Sequence, residues 1–321
     1  MKAYNAKDIR NIAIAGHGGR GKTTLAEAML YTAKATDRLG RVADGTTVLD
    51  FDAEEKKRKA TVSTAVAAIE WNGAKINIID TPGLFDFAGG MSEGIRAADS
   101  VLIVTAAGSG FDVGAEKALK AANARGISRM FAITRCDADN TDFYKTFAAI
   151  KDAVGGAICP VIVPYMDGGK GAAYVNLASR KAFDYSSGEK KEVAMPSDPQ
   201  LDEMLDILTE AVASSDDELM EKFFAGETFT REEIIKALNS GVSDGSVIPV
   251  YACAGYTCEA IDMLLDEIVY SAPSAADKAG ENGLACDENG PLAAICFKTI
   301  ADPFVGKMSF FKVMAGTIDR D

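Results

Sequence analysis

The chain of 321 residues has little of several features that would place it in a specialised class of protein. It contains one histidine, one tryptophan and six cysteines, and no two cysteines form a Cys-x-x-Cys pair. A zinc site or a thiol redox motif is therefore not expected, and scattered cysteines are typical of reduced thiols. No apolar run is long enough to cross a bilayer, and the first residues lack the apolar stretch of a secretory signal. These absences predict a cytoplasmic protein without a membrane partner.

Positive charge is also scarce relative to negative charge. The 34 lysines and arginines are outnumbered by 47 aspartates and glutamates, which gives a formal net charge of −13. A surface this acidic repels a nucleic-acid backbone, so contact with an RNA-containing assembly would have to be local or made through protein. We expect no sequence-specific nucleic-acid partner and a monomeric chain. The content of 48% hydrophobic and 25% charged residues is ordinary for a globular protein of two or three modules.

The most informative feature that is present is a complete phosphate-binding loop, G-x-x-x-x-G-K-T, at residues 16–23. An apolar run at 11–15 precedes it and a helical pattern at 24–35 follows it. In that context the glycines let backbone N–H groups wrap phosphate oxygens, and the helix N-terminus adds partial positive charge. The lysine can reach the β- and γ-phosphates, and the threonine hydroxyl can ligate Mg²⁺. The loop predicts nucleotide binding by His17, Gly18, Gly19, Arg20, Gly21, Lys22, Thr23 and Thr24.

A second motif, Asp80-Thr81-Pro82-Gly83, follows the apolar strand candidate at 76–79. By itself this tetrapeptide is also a good turn. An aspartate at the carboxyl end of a strand beside a phosphate loop is where a second Mg²⁺ ligand is needed. Gly83 offers a backbone N–H that can approach a γ-phosphate, because no side chain blocks it. The two motifs together predict that a nucleotide and Mg²⁺ bind at one place.

Short apolar segments alternate with helical patterns in the first half of the chain and predict an α/β sheet. The strand candidates are 11–15, 61–71, 75–79, 101–106 and 130–133, and the helix candidates are 22–35, 91–98, 114–125 and 142–153. Asn72-Gly73 predicts a hairpin between the second and third strands. Residues 36–60 show no clean periodicity. They are predicted to form either a solvated surface loop or a mobile segment that closes over a nucleotide.

The second half of the chain changes in texture and predicts further modules. Amphipathic helical stretches lie at 201–213, 216–224 and 230–238, the α/β pattern resumes at 247–252, and a helix follows at 259–271. We predict a nucleotide-binding domain at 1–159, an inserted subdomain at 160–246, the end of the first domain at 247–275 and a linker at 276–291. Two strand-like runs at 292–321 are too few for an independent module, so we expect a truncated domain or a hairpin packed on the main body.

The two motifs and their spacing resemble those of translation-factor GTPases, most closely elongation factor G and its paralogues. Residues 38–70 resemble the first switch of that family, 216–224 its inserted subdomain, and Pro273 the proline that closes its G domain. Residues 302–311 resemble the start of its β-barrel second domain, domain II. The resemblance implies a P-loop GTPase fold with a mostly parallel six-stranded sheet, helices on both faces, an inserted α+β subdomain and the first strands of a barrel. It implies GTP/GDP and Mg²⁺ as cofactors and the ribosome as a partner.

The resemblance also implies roles for individual residues. Thr61, in Arg58-Lys59-Ala60-Thr61, matches the switch threonine whose hydroxyl and carbonyl engage Mg²⁺ and the γ-phosphate. With the motifs above, this implies Lys22, Thr61 and Gly83 as catalytic residues. The implied metal ligands are Thr23, Thr61 and Asp80.

Thr134-Arg135-Cys136-Asp137 stands where the family has its guanine-reading Asn-Lys-x-Asp. Asp137 keeps the acceptors for guanine N1–H and the 2-amino group, and Arg135 can stack on the base. Thr134 cannot supply the amide of asparagine, so the preference for guanine is expected to be weakened. Ala254-Gly255 replaces the Ser-Ala of the family near the base and keeps its backbone N–H groups.

Leu84 replaces the family histidine that orients the attacking water, and it has no hydrogen-bonding group. The only histidine, His17, matches one inside the family's own phosphate loop, and Gly19 replaces that loop's aspartate. We therefore predict an elongation-type GTPase that acts on the ribosome with slow hydrolysis. The alternatives are a nucleotide-gated regulatory module with little turnover, or a GTPase like ribosomal-protection proteins or release factor 3. An ATPase of another phosphate-loop class is disfavoured by the long first switch and by Asp137.

Overall fold

The computed structural model describes residues 2–139, 141–167, 170–277, 284, 286–302 and 304–318. Its strands are β1 (Ile9–Gly16), β2 (Ala65–Trp71), β3 (Ala74–Asp80), β4 (Ser100–Ala106), β5 (Ser128–Thr134), β6 (Ile158–Asp167), β7 (Lys170–Asn176), β8 (Lys181–Asp184), β9 (Lys191–Val193), β10 (Ile248–Ala252), β11 (Ala293–Asp302) and β12 (Gly306–Ala315). Its α-helices are α1 (Lys22–Thr32), α2 (Ala53–Arg58), α3 (Ala88–Ala97), α4 (Val113–Arg125), α5 (Phe143–Val154), α6 (Pro199–Ala213), α7 (Asp217–Phe224), α8 (Arg231–Asp244) and α9 (Ile261–Ser271).

The main sheet runs in the order β2-β3-β1-β4-β5-β10-β6-β7-β8-β9. The pairs from β3 to β6 are parallel, and β2 is antiparallel to β3 across the predicted Asn72-Gly73 turn. Four consecutive residues of β1, 12–15, are fully buried. Because successive side chains of a strand point to opposite faces, both faces of the sheet are covered by helices. The predicted α/β class is confirmed.

The predicted six-stranded sheet corresponds to β2, β3, β1, β4, β5 and β10. Strand β6 then joins β10 in parallel, and the antiparallel strands β7 to β9 extend the sheet to ten strands. The sequence patterns missed these four strands. Pro160 and Pro164 interrupt β6 and cannot donate ladder hydrogen bonds, and β9 is exposed along its whole length. The four strands lie mostly in the segment predicted to be an inserted subdomain; the domain boundaries stay predictions.

Two differences in secondary structure bear on the site. Strand β2 begins at Ala65 instead of at 61, which leaves residues 61–64 as a loop beside the phosphate loop. Helix α2 lies in the segment without periodicity, where its charged sequence gave no amphipathic signal. It is stabilised by a capping box in which Asp52 and Glu55 satisfy each other's backbone N–H groups.

Strands β11 and β12 form a separate antiparallel hairpin. Strand β11 packs against α3, and the Lys312 ammonium pairs with the buried Asp99 carboxylate at the edge of β4. Of the two alternatives for this segment, the structure shows the hairpin packed on the main body; the barrel stays a prediction. Among the described residues, no helix is both long and apolar enough to cross a membrane.

Candidate nucleotide-binding site

A cavity of about 310 Å³ opens at the carboxyl ends of the parallel strands. This is the edge of an open α/β sheet at which ligands bind. It is lined by twelve of the residues predicted from the sequence, namely Gly18, Gly19, Gly21, Lys22, Thr23, Thr24, Thr61, Gly83, Thr134, Arg135, Asp137 and Gly255. The remaining predicted residues, His17, Arg20, Asp80 and Ala254, do not line this cavity.

The phosphate loop connects β1 to α1 through glycines in conformations that other residues rarely adopt. Gly21 has a φ of 90° and immediately precedes the first turn of α1. A Cβ at Gly83 would collide with the Lys22 ammonium and come within 2.8 Å of the Gly18 nitrogen. Glycine is therefore required at 83 for the second motif to lie against the phosphate loop.

Lys22 is a buried cation at the closed end of the cavity, and its side chain is 6% exposed. Its ammonium donates to the His17 carbonyl oxygen at 2.9 Å. Burial lowers the pKa of Lys22, while the carboxylates of Asp80, Asp112 and Asp50 oppose that shift. An ammonium has three donors, so further hydrogen bonds to an anionic ligand are available to it.

Four oxygen-bearing side chains meet beside Lys22. The Thr23 hydroxyl donates to Asp80 Oδ2 at 2.7 Å and lies 2.8 Å from the Thr61 hydroxyl, which donates to Asp50 Oδ1 at 2.8 Å. The second oxygens, Asp80 Oδ1 and Asp50 Oδ2, are buried without a hydrogen-bond partner. The structure thus brings together Thr23, Thr61 and Asp80, as predicted, and adds Asp50.

The negative charge of this cluster is compensated only in part, by the Lys22 ammonium. Desolvation raises the pKa of Asp80 to about 7 and also raises the pKa of Asp50. Carboxylate and hydroxyl oxygens are hard donors of the kind that Mg²⁺ prefers, and a bound cation would hold both carboxylates in the charged form. Within the described residues, no three His, Cys, Asp or Glu side chains form a group that could hold a metal. The side chains present fit Mg²⁺, which would have to take its remaining oxygen ligands from water or from a bound anion.

Two buried glutamates hold the segment that carries Asp50 and Thr61. Glu27 of α1 is fully buried, and its Oε1 accepts from the backbone N–H groups of Val48 and Leu49 at 2.7 and 2.9 Å. Glu55 Oε1 accepts from the N–H groups of residues 62 and 63 at 3.0 and 3.1 Å. Residues 42, 43, 50, 59 and 60 line the cavity, so the segment covers part of the site, and its predicted mobility and closure over a nucleotide stay predictions. Sequence reasoning missed Asp50 because its burial depends on these tertiary contacts.

The opposite end of the cavity carries the predicted base-reading residues. The Thr134 hydroxyl donates to the Arg20 carbonyl at 2.8 Å, which ties β5 to the phosphate loop. Arg135 has a φ of 61° and donates to the Gly19 carbonyl at 2.5 Å. Asp137 is exposed and accepts a hydrogen bond from Thr257 at 3.3 Å. A planar ring could lie along the guanidinium with its edge toward the carboxylate.

Two further residues lie at this end that the sequence analysis did not identify as part of the site. Tyr256 lines the cavity, and the Arg41 guanidinium lies 5.5 Å from the centre of its ring. Their only signal was that Tyr256 follows the Ala254-Gly255 pair. Ala254 is fully buried and its N–H donates to the Glu259 carbonyl at 3.0 Å. Of the pair, therefore, only Gly255 faces the cavity, and the N–H of Ala254 is not available to a base.

An apolar wall closes the phosphate end. Leu84 is 40% exposed and lies against Gly18 of the loop. The neighbouring Phe85 ring packs edge-to-face on His17 at 5.3 Å, and the Lys117 ammonium lies 3.8 Å from the centre of that ring. His17 therefore supports the wall instead of facing the cavity, and its buried Nδ1 has no partner.

Arg20 does not point toward the phosphate-binding loop's concave side. Its guanidinium pairs at 2.8 Å with Asp112, whose carboxylate also caps the N-terminus of α4 by accepting from Ala115. The side chain of Arg20 thus fastens the loop to α4. Its backbone remains part of the loop, through the carbonyl that Thr134 holds.

Comparison with known proteins relates the chain to elongation factors. Residues 7–274 match the family described as the elongation factor Tu GTP binding domain. Two curated relatives, each described as elongation factor G-like protein, come from Mycobacterium tuberculosis strains CDC 1551 / Oshkosh and ATCC 25618 / H37Rv. Both are 34% identical over 327 aligned positions, which cover 98% of this chain and 45% of theirs. A crystal structure of a protein from Thermus thermophilus matches with a TM-score of 0.87 and 33% identity, covering 97% of this chain and 46% of that one. The chain spans about half the length of these relatives.

Proposed function

Because the chain belongs to the family of elongation factor Tu GTP-binding domains, we propose that it binds GTP and GDP with Mg²⁺ and hydrolyses GTP slowly, as a translation factor on the ribosome. The observation that carries this proposal is the cluster of Thr23, Thr61, Asp80 and Asp50 beside Lys22. Its two orphaned carboxylate oxygens and its buried ammonium need a divalent cation and an anion together. A Mg²⁺-bound polyphosphate supplies both.

The chain's own residues would position the triphosphate and stabilise charge as the β–γ bond breaks. Lys22 would hold the β- and γ-phosphate oxygens, and the N–H of Gly83 would be open to the γ-phosphate, since glycine carries no Cβ that would crowd the Lys22 ammonium. A bound Mg²⁺, held by Thr23 and Thr61 with Asp80 and Asp50 around it, would neutralise charge on the phosphate oxygens. Water would add to the γ-phosphorus while the bond to the β–γ bridging oxygen breaks. GDP keeps the bridging oxygen, inorganic phosphate keeps the oxygen of the water, and the released proton passes to solvent or to a phosphate oxygen. The loss of that phosphate would release Thr61 and Gly83 and open the segment that covers the site.

The proposal includes slow turnover because of Leu84. Its side chain lines the cavity at the phosphate end and can neither orient a water molecule nor take its proton. His17 does not replace it, since its ring packs on Phe85 behind the wall. Positioning and electrostatic stabilisation therefore remain as the sources of rate.

The proposal names guanine as the base because of Asp137. Its carboxylate offers two acceptors of the kind that guanine N1–H and the 2-amino group require. We expect GDP to bind more tightly than ADP, and Asp137→Asn to reduce that difference. Equal affinities of the wild-type protein for the two diphosphates, measured by calorimetry, would contradict the assignment.

Calorimetry with GDP, and with a GTP analogue that is not hydrolysed, tests nucleotide binding in the presence of Mg²⁺. We expect Lys22→Ala to weaken binding about a hundredfold, because it removes a buried charge-assisted contact. Lys120→Ala is the control, since Lys120 is exposed on α4 and pairs with Glu116 of the same helix. If no purine nucleotide binds saturably, or if Lys22→Ala changes nothing, the proposal is wrong.

Leu84 and the altered Thr134-Arg135-Cys136-Asp137 motif also favour a second candidate function, a nucleotide-gated regulatory module with little turnover. Multiple-turnover hydrolysis with and without ribosomes separates the two. Turnover that ribosomes stimulate supports the translation-factor proposal. Tight GTP binding with no turnover in either condition supports the regulatory module.

A further inference from the structure

A lysine of the C-terminal hairpin reaches the segment that carries Thr61. Lys298, on β11, is 8% exposed. Its ammonium donates to the Ser63 hydroxyl at 2.8 Å and to the carbonyl oxygen of Thr64. Only Val62 separates Thr61 from the first of these two acceptors. The hairpin thus holds the backbone that leads directly out of the candidate metal site.

The same lysine lies where three other parts of the site meet. The Thr64 hydroxyl donates to the Gly90 carbonyl at 2.8 Å, and Glu93 Oε2 accepts from it at 3.4 Å. Both partners belong to α3, the helix that follows Gly83. Glu55 Oε1 accepts from the N–H of Ser63, and both Glu55 and Glu93 act electrostatically on Lys298. The lysine therefore joins the hairpin to the two segments that would contact a γ-phosphate.

Burying an ammonium is unfavourable unless its partners compensate for the lost hydration. Lys298 has lost most of its hydration, which lowers its pKa. If the hairpin lifted, the ammonium would return to water, and the Thr64 carbonyl would lose its partner. Docking of the hairpin and the position of residues 61–64 are therefore linked in free energy.

We propose that Lys298 is a positioning residue, which holds Thr61 in the inward position required by a γ-phosphate and couples that position to docking of the hairpin. This inference rests on the proposed function, since it assigns a nucleotide to the site. Thr61 is inward here, with its hydroxyl on Thr23 and Asp50. In the proposed function, a triphosphate would engage Thr61 through its γ-phosphate, and a diphosphate would not. Loss of Lys298 should consequently weaken binding of the triphosphate and leave binding of the diphosphate nearly unaffected.

The experiment compares Lys298→Met with Lys312→Met. Lys312 lies on β12 of the same hairpin and pairs with Asp99, away from residues 61–64, so its loss weakens docking without removing the contact at issue. Dissociation constants are measured for GDP and for a non-hydrolysed GTP analogue with Mg²⁺. We expect Lys298→Met to raise the dissociation constant of the GTP analogue about tenfold, which corresponds to one charge-assisted hydrogen bond. The dissociation constant of GDP should change less than about twofold. Lys312→Met should shift the ratio of the two constants clearly less than Lys298→Met does, because the contacts of Lys298 with residues 63 and 64 stay in place. Lys298→Arg should restore most of the loss.

A second measurement does not need a nucleotide. Hydrogen exchange of the amides at 62–64 in the nucleotide-free protein should be faster in Lys298→Met than in Lys312→Met. If the wild-type protein binds no guanine nucleotide, the proposed function fails, and faster exchange still supports the positioning role. The inference is overturned if Lys298→Met weakens both nucleotides equally, if Lys312→Met shifts the ratio as much, or if exchange is unchanged. Should Lys298→Met fail to fold, Lys298→Gln is measured in its place by the same criteria.

Discussion

Leu84 is the residue at which a single substitution should raise the rate of GTP hydrolysis. It lies at the phosphate end of the cavity against Gly18, where a longer polar side chain could reach a water molecule. We expect Leu84→His to raise the single-turnover rate of GTP hydrolysis by about tenfold to a hundredfold, because a positioned imidazole contributes on that order or more. The GDP affinity should stay unchanged. Leu84→Met, which is similar in size and has no acid–base group, should hydrolyse as slowly as the wild type. A fast wild-type enzyme that histidine does not improve would contradict the prediction.

The residues of the candidate site differ in how far sequence could predict them. Lys22, Thr23 and Asp80 belong to motifs in which spacing, strand and helix impose the positions, and the structure brings them together. Asp50 belongs to no such motif, and its place in the cluster depends on Glu27 and Glu55, which hold the backbone on either side of it. Tertiary contacts of this kind leave no local pattern in the sequence. An aspartate in an exposed charged loop and a buried aspartate beside a metal site therefore look alike.

Glu267, on α9 and outside the candidate site, should make the free energy of unfolding depend on pH. Its Oε1 accepts from Asn176 at 2.7 Å, and burial raises the pKa of Glu267 from 4.5 to about 7. The folded state therefore holds its proton more tightly than the unfolded state, and the free energy of unfolding should fall as the pH rises from about 4.5 to about 7. Glu267→Gln removes this penalty. We expect the variant to be more stable than the wild type by about 1–2 kcal/mol at pH 8, with partial exposure tempering the full shift.

Urea unfolding at several pH values checks this expectation. Below about pH 4 both forms are neutral at position 267, so the difference between variant and wild type should vanish. Glu203→Gln, at an exposed position on α6, is the control and should show no such dependence. A difference that is the same at pH 4 and pH 8 would show that the hydrogen bond, and not the titration, is responsible.

At the scale of elements, the segment of residues 41–62 is held by Glu27 of α1 as well as by its own Glu55. Glu27 accepts two backbone N–H groups of the segment while fully buried, so Glu27→Ala leaves two donors unpaired. We expect the free energy of unfolding to fall by about 2–3 kcal/mol. Limited proteolysis should cleave within 41–62 several times faster than in the wild type.

The matched control is Glu54→Ala, on α2 of the same segment. Glu54 is 47% exposed at its side chain and pairs with Arg58 across one helical turn, a contact worth less than about 0.5 kcal/mol. Cleavage of that variant should match the wild type. If Glu27→Ala is cleaved no faster than Glu54→Ala, the carboxylate does not hold the segment.

The helices and strands that were predicted well from the sequence have a clear hydrophobic periodicity or clear capping residues at their ends. Helix α4 begins within one residue of its expected start and ends at Arg125, because Asp112 caps it and Gly126 terminates it in a left-handed conformation. Helix α8 continues to Asp244, beyond the expected end at 238, and it packs on β5 and β10, so tertiary contacts extend it past its local pattern. Strands β7 to β9, at the far edge of the sheet, have neither an alternating hydrophobic pattern nor clear boundary residues. They form because they pair with neighbouring strands, which a local sequence pattern does not show.

At the scale of the whole molecule, the excess of acidic groups governs how the chain can meet an RNA-containing partner. Its net charge of −13 opposes the polyanionic backbone, since binding to RNA draws on Lys and Arg that neutralise phosphates. We expect a bare RNA duplex to bind more weakly than about 100 μM at roughly 0.15 M salt, as measured by fluorescence anisotropy. Lowering the salt should not produce saturation, because the net interaction is repulsive. Any ribosome-stimulated turnover should then come from ribosomal protein or from a local RNA contact, and not from general attraction to RNA. Saturable binding of the duplex at low micromolar concentration would contradict this and would point to a basic surface strong enough to overcome the net charge.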